Sequence, residues 1–198
     1  MAYVVYEREV IVEALKLDKK YTYSDYYTWD DDQRWELIDG VPYAMSPAPS
    51  KSHQDITGEL FWQIKNYLKN KSCEVFIAPF DVRLNFDKED NTVVQPDVLI
   101  VCNKDKLNDK GVLGAPDFVA EVLSPSTSKK DMILKYNAYL NAGVKEYWII
   151  DPVNKFIMAN ILRNDNYEGK PYFSDDNEIK LTVLDDCKIN LNDLFSTS

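Results

Sequence analysis

The stretch FVAEVLSPS, residues 118–126, places a glutamate inside an apolar run of the β-strand type. Alternation along a strand sends Val119, Glu121 and Leu123 to one face, and Ala120 and Val122 to the other. Glu121 therefore points into a layer that otherwise packs apolar side chains. Because an unpartnered buried carboxylate is costly or becomes protonated, the pattern predicts a partner for Glu121.

A second acid lies at the start of an earlier apolar strand. The segment QPDVLIV, residues 95–101, puts Asp97 directly after a proline, which cannot donate to a central sheet ladder. If this strand neighbours residues 117–123, Asp97 and Glu121 can face each other. Two close carboxylates repel unless a cation lies between them, and few carboxylates plus water suit Mg²⁺. The sequence therefore predicts a divalent-metal site.

A lysine follows on the next helical segment, KKDMILKYNAY, residues 129–139. Asp131, Lys135 and Tyr139 are spaced four residues apart and share one helical stripe. A lysine directed back at the strand end would orient or deprotonate a water and neutralise charge on a phosphate. The alternative is a surface Asp131–Lys135 pair, worth about a few tenths of a kcal/mol.

The overall composition favours one globular domain over residues 1–198. The chain is 45% hydrophobic and shows neither a repeat nor a linker. No apolar run reaches the roughly 18 residues of a membrane helix, and the N-terminus lacks the pattern of a signal peptide. We therefore expect no membrane association and a cytoplasmic protein.

The charge distribution bears on possible ligands. A net charge of −10 argues against a sequence-independent phosphate binder. Residues 51–72 nevertheless hold four lysines against two acids, so any site for a polyanion would be local.

The cysteines give no sign of a framework. Cys73, Cys102 and Cys187 are odd in number, far apart and without metal-ligand spacing. We therefore expect neither a disulfide nor a zinc site, and interpret them as small buried residues.

The order of elements predicts an α/β fold with a mixed β-sheet core flanked by helices. WELIDGVPYAM, residues 35–45, reads as an N-terminal β-hairpin turning at Asp-Gly. Helical spacing marks residues 53–70 and a second helix that ends at Gly143. Strands are predicted at residues 73–84, 92–102, 117–123, 146–151, 156–162 and 178–184.

These motifs resemble a known family. Asp97, the EVLSPST block from Glu121, the Asp131–Lys135–Tyr139 spacing and GVKEYWIID at residues 143–151 are similar to the Uma-type restriction endonucleases of the PD-(D/E)XK nuclease superfamily. ELIDG at residues 36–40, Met45-Ser46-Pro47 and His53 extend the resemblance, which covers about residues 21–194.

The resemblance implies a restriction-endonuclease-like core and a metal-dependent hydrolysis of DNA phosphodiester bonds. In that interpretation Asp97, Glu121 and the backbone carbonyl of Val122 bind Mg²⁺ or Mn²⁺, and a water attacks the phosphorus. The superfamily also carries a lysine two residues after the glutamate, where this chain has Leu123. Similar proteins carry the lysine on the following helix, which assigns that role to Lys135.

The resemblance also names accessory candidates, namely Glu36, His53 and Asp131. Each has a structural alternative: Glu36 as a solvated hairpin residue, His53 as a residue that caps or lines a helix start, and Asp131 as the surface partner of Lys135. Nucleases of this kind often act as dimers, so that two sites meet two strands, and a homodimer is therefore a further expectation.

Two other functions stay open at this stage. Leu123 and the net charge of −10 are compatible with a catalytically inactive binding or assembly module on the same fold. The acidic surface would also suit a hydrolase of a smaller phosphorylated substrate better than one of long duplex DNA.

Overall fold

A computed structural model describes residues 19–30, 32–45, 48–124 and 130–196, except the side chains of Lys130 and Asp131. The α-helices are α1 (Tyr23–Tyr26), α2 (Lys51–Tyr67), α3 (Tyr136–Ala142) and α4 (Leu191–Ser196). The strands are β1 (Trp35–Ile38), β2 (Val41–Ala44), β3 (Glu74–Ile77), β4 (Asp81–Arg83), β5 (Val93–Val94), β6 (Val98–Val101), β7 (Leu107–Asn108), β8 (Gly111–Leu113), β9 (Phe118–Val122), β10 (Glu146–Asp151), β11 (Phe156–Arg163), β12 (Asn166–Phe173), β13 (Glu178–Lys180) and β14 (Lys188–Asn190).

Two mixed sheets form the body of the protein, with helices against them. The first sheet has the order β2-β1-β5-β4-β8-β7, and the second has the order β12-β11-β10-β9-β6-β3. Strand β9 runs parallel to β10 and antiparallel to β6, while β4 runs parallel to β8 and antiparallel to β5. The predicted α/β class with a mixed sheet is confirmed.

The predicted N-terminal hairpin is also confirmed. Strands β1 and β2 pair antiparallel from Trp35 opposite Ala44 to Ile38 opposite Val41. Asp39 and Gly40 make the turn with φ angles of 50° and 75°. Positive φ at both turn residues is the geometry that favours Asp-Gly in two-residue hairpins.

Two strands predicted as continuous are each broken in the middle. Residues 73–84 divide into β3 and β4, and residues 92–102 divide into β5 and β6. The breaks fall at Pro79 and Pro96, because proline has no N–H to donate to a ladder. After each break the chain changes sheet: β4 and β5 belong to the first sheet, β3 and β6 to the second.

Capping residues mark the start of α2 and the end of α3. Helix α2 begins after Ser50, whose Oγ accepts a hydrogen bond from the backbone N–H of His53. It therefore covers residues 51–67 rather than the predicted 53–70. Gly143, with φ of 81°, ends α3 as predicted. A π-helical turn, Lys130–Lys135, precedes α3.

Strand β9 has a buried face on each side, as its alternation predicts. Ala120 and Val122 pack in a cluster with residues of α2 and α4. Val119 packs in the opposite cluster with Tyr139 and Tyr147. Glu121 lies on this second face, between aromatic and aliphatic side chains.

The expectation that the cysteines form no disulfide is wrong. Cys73 and Cys102 form a disulfide, while Cys187 is free and buried. The antiparallel register of β3 and β6 pairs Glu74 with Val101, so the next position outward places the two cysteines opposite each other. Sequence spacing alone could not show this contact across 29 residues.

The C-terminal strands also differ from the prediction. Strand β12, which pairs along its whole length with β11, was not predicted. The strand expected at residues 178–184 ends at Lys180 and pairs with β14 in a small separate sheet. In the described parts of the chain, no helix is both long and apolar enough to cross a bilayer.

Candidate active site

A buried lysine lies between two buried glutamates, one from each large sheet. The Nζ atom of Lys135 is 2.7 Å from Oε1 of Glu121 and 2.9 Å from Oε1 of Glu36. The lysine and Glu121 side chains are each 4% exposed, and that of Glu36 is fully buried. The interpretation of Lys135 as part of a surface pair is therefore wrong. The side chain of Asp131 lies outside the part of the chain that the structure describes.

Glu36 reaches this position because β1 lies inside the first sheet, between β2 and β5. All four residues of β1 are buried, so the interpretation of Glu36 as a solvated hairpin residue is wrong. The backbone N–H of Gln95, in the break between β5 and β6, donates to Oε1 of Glu36 over 3.0 Å. The sheet change at this break thus supplies a partner for the glutamate.

Tyr139 is a further member of this buried cluster. Its hydroxyl donates to Oε1 of Glu121 over 2.6 Å, one helical turn after Lys135. Burial raises the pKa of Tyr139 well above its ordinary value, and the nearby carboxylates of Glu121 and Glu36 act in the same direction. The hydroxyl therefore stays protonated as a donor. The four-residue spacing aligned it with Lys135 but did not indicate that it contacts Glu121.

Asp97 and His53 form a neighbouring pair just before the start of β6. Oδ2 of Asp97 accepts a hydrogen bond from the backbone N–H of Val122 over 2.8 Å. It is also 3.2 Å from Nε2 of His53, whose Nδ1 is 3.4 Å from the Thr57 hydroxyl. The Asp97 side chain is 17% exposed and thus more accessible than Glu121. His53 lies in the first turn of α2 and contacts the predicted acid.

The register of the second sheet relates Asp97 to Glu121. Val98 on β6 pairs with Ala120 on β9, so the next step along both strands brings residue 97 opposite residue 121. The N–H and C=O groups of a strand residue point to the same side. Since the Val122 N–H reaches Asp97, the Val122 carbonyl also faces this end of β6.

Oxygen donors of this kind fit a hard divalent cation better than a soft one. Two carboxylates and one carbonyl, completed by water, are a donor set typical of Mg²⁺ or Mn²⁺. Among the described residues, no three His, Cys, Asp or Glu side chains converge on a possible metal position. The donor chemistry therefore fits an ion that retains several waters, and does not fit a closed all-protein site.

A polar network continues from Gln95 away from the buried lysine. Its Nε2 donates to Oδ1 of Asp81 over 2.8 Å and to the hydroxyl of Tyr26 over 3.2 Å. Its Oε1 accepts from Nη2 of Arg34 over 2.5 Å. Burial raises the pKa of Asp81. No sequence motif indicated these residues, apart from the position of Gln95 beside Pro96-Asp97.

Comparison with known proteins agrees with this architecture. A solved structure described as a "putative nuclease belonging to DUF820" from Anabaena variabilis superposes with a TM-score of 0.72 at 18% identity, covering 89% of this chain and 98% of that one. At this identity the match concerns the fold. "Uncharacterized protein slr1290" from Synechocystis sp. is 31% identical over 129 residues, which span 64% of this chain and 66% of that protein.

The sequence also matches a family model, Uma2, described as "Putative restriction endonuclease", over residues 23–192. That range contains both sheets, the buried lysine with its two glutamates, and the Asp97–His53 pair. The family expected from the sequence motifs is thus confirmed: the chain belongs to the Uma2 family.

Proposed function

We propose that this chain is a metal-dependent endonuclease that hydrolyses DNA phosphodiester bonds, with Asp97, Glu121 and Lys135 as its catalytic residues. The family description supports a nuclease. The observation that carries the proposal is a lysine buried between two carboxylates beside a third, partly exposed acid. Structural lysines are rarely buried to this extent, and grouped buried charges are typical of functional sites.

The metal would be held by Asp97, Glu121 and the Val122 carbonyl. When bound, Mg²⁺ or Mn²⁺ supplies a positive charge that polarises the scissile phosphate and lowers the pKa of a water. The backbone N–H of Val122 donates a hydrogen bond to Oδ2 of Asp97 and so fixes the orientation of that carboxylate. His53 contacts the same oxygen and helps to position the carboxylate.

Lys135 supplies the cation that the superfamily motif places two residues after the glutamate. Leu123 cannot fill that role, and it packs with the apolar residues on the Glu121 face of β9. From the end of the π-helical turn, Lys135 brings its ammonium within 2.7 Å of Glu121. Its contacts with Glu121 and Glu36 have the distances of ion pairs. Lys135 therefore acts first as a cation that stabilises phosphate charge and orients water.

Glu36 and Tyr139 act as positioning residues in this proposal. Glu36 contacts the lysine from the first sheet, while Tyr139 donates to the same Glu121 oxygen that Lys135 contacts. The ammonium and the Glu121 carboxylate are thereby each held from two directions. Such preorganisation is what charge stabilisation in a transition state requires.

The experiment is the relaxation of supercoiled plasmid in Mg²⁺ or Mn²⁺. We expect the wild type to nick or linearise plasmid, and Asp97→Asn and Glu121→Gln to lose at least about 100-fold in rate. Asp87→Asn and Glu168→Gln, at exposed positions, are matched controls that should retain activity. Metal-dependent cleavage that survives both site variants would refute the assignment.

A second function is favoured by one specific observation: the Lys135 ammonium already neutralises Glu121, one of the two carboxylates that would bind metal. Together with Leu123, this supports an inactive nuclease-fold module for binding or assembly. Calorimetry with Mn²⁺ and a panel of DNA, RNA and small phosphodiesters separates the two functions. Metal binding without hydrolysis of any substrate would favour the module. The expected homodimer stays a prediction, which sedimentation of the full chain tests.

A further inference from the structure

A basic and aromatic surface lies between the C-terminal half of α2 and strand β3. We call it the Trp62 patch and define it by Phe61, Trp62, Lys65, Lys69 and Lys71. These residues line a cavity of about 450 Å³. A cavity of this size is large enough for a nucleotide-sized group.

The charges of the Trp62 patch are available for a ligand. Among the residues that the structure describes, Lys65, Lys69 and Lys71 form no ion pair, and the Lys71 ammonium lies 3.5 Å from the ring centroid of Tyr67. Glu74 at the rim is 2.9 Å from the ammonium of Lys104, which offsets its charge. In a chain with net charge −10, this patch is locally cationic.

The aromatic part of the patch is open. Trp62 is 59% exposed, which is unusual for the largest apolar side chain. Gly58 lies one turn earlier, and a Cβ atom at that position would have no heavy atom within 4 Å. Helical side chains lean toward the preceding turn, so the indole leans over a position that has no side chain. One face of Trp62 is therefore accessible to a flat ligand.

We propose that the Trp62 patch binds single-stranded nucleic acid, with a base stacked on Trp62 and phosphates held by the three lysines. Aromatic platforms with nearby cations are typical of single-strand binding. A base-paired duplex keeps its bases stacked on each other, so it would use the lysines but leave the indole without a partner. The inference rests on the proposed function, because it names an unpaired segment of the substrate.

The position of the patch separates it from the candidate active site. Trp62 follows His53 by nine residues, which places it about 14 Å along the α2 axis and on the opposite helix face. The patch would therefore hold a flanking segment of the substrate and not the bond that is cleaved. Binding at the patch can be measured without hydrolysis.

The test is fluorescence anisotropy of a short labelled oligothymidylate with the full chain in EDTA. We expect Trp62→Ala to weaken binding about 5- to 150-fold, the range for loss of one stacked base. Lys65→Gln should reduce the slope of log affinity against log salt by about 0.7, the value for one phosphate contact on a single strand.

Matched controls are Phe173→Ala and Lys88→Gln, an exposed aromatic and an exposed lysine elsewhere on the surface. Both should bind like the wild type. All four variants are at exposed positions, and equal melting temperatures will verify that they fold.

Three results would overturn the inference: no binding of oligothymidylate, binding that Trp62→Ala leaves unchanged, or a Trp62-dependent preference for polyglutamate, which would indicate an acidic protein partner. Plasmid cleavage without Trp62-dependent binding would reject the patch and retain the proposed function. Trp62-dependent binding by a chain that cleaves nothing would retain the patch and reject the proposed function.

Discussion

Replacing Lys135 by methionine tests the buried cluster most directly. Methionine keeps most of the apolar stem and removes the ammonium that lies within 3 Å of two carboxylates. Breaking a buried ion pair by removing one partner typically costs about 3–5 kcal/mol. Here Glu121 keeps the Tyr139 hydroxyl and Glu36 keeps the Gln95 N–H, so we expect the lower end, about 3 kcal/mol.

The assay is urea unfolding at pH 7, followed by the fluorescence of the tryptophans, of which Trp148 is fully buried. With a slope of about 2 kcal/mol per molar urea, the midpoint should fall by about 1.5 M. The double variant Glu36→Gln/Lys135→Met should recover about 1–2 kcal/mol relative to Lys135→Met, because one uncompensated charge is gone.

The matched control is Lys51→Met. That lysine also pairs with a carboxylate, Asp55, but its side chain is 82% exposed. An exposed pair at this helical spacing contributes about 0.3–0.5 kcal/mol, so the control should unfold almost like the wild type. If Lys135→Met costs no more than Lys51→Met, the lysine is not confined between the two glutamates, and the reasoning about the site fails.

Three further predictions concern other buried groups. Tyr139→Phe should lower stability by about 1–2 kcal/mol and, if the chain is active, cleavage by about 10-fold, as measured by urea unfolding and plasmid nicking. Burial raises the pKa of Glu146 above its ordinary 4.5, so between pH 4.5 and the folded-state pKa the folded protein holds a proton that the unfolded chain has released. Its contribution to stability should therefore fall as the pH rises from 4.5 through the folded pKa, and Glu146→Gln should remove that part of the pH dependence of the urea midpoint; an unchanged profile would contradict it. Reducing the Cys73–Cys102 disulfide, which closes 29 residues, should cost about 2–4 kcal/mol in thermal unfolding, and Cys73→Ser/Cys102→Ser should match the reduced wild type.

Local patterns predicted the parts of the fold that depend on local chemistry. Asp-Gly specified the β1–β2 turn, and Gly143 specified the end of α3. The alternation of β9 predicted which face buries Glu121, and helical spacing predicted that Lys135 and Tyr139 share a stripe. That residues 1–198 form one domain stays a prediction.

The features missed by the sequence analysis depend on contacts between distant segments. The disulfide depends on the register between β3 and β6, which spacing does not encode. The two broken strands could have been inferred from Pro79 and Pro96, but their different sheet partners could not. The burial of Glu36 follows from β5 pairing with β1, a contact between segments more than fifty residues apart.

The change of sheet at the two prolines has a mechanical consequence. The connections β3–β4 and β5–β6 each run from one sheet to the other, and the Lys135 ammonium spans the gap by contacting one glutamate from each. A rotation of one sheet against the other would stretch both connections. It would at the same time move the Lys135 ammonium away from Glu36 or Glu121. We therefore expect the two sheets to move together, which would keep the distance between Glu36 and Glu121 constant.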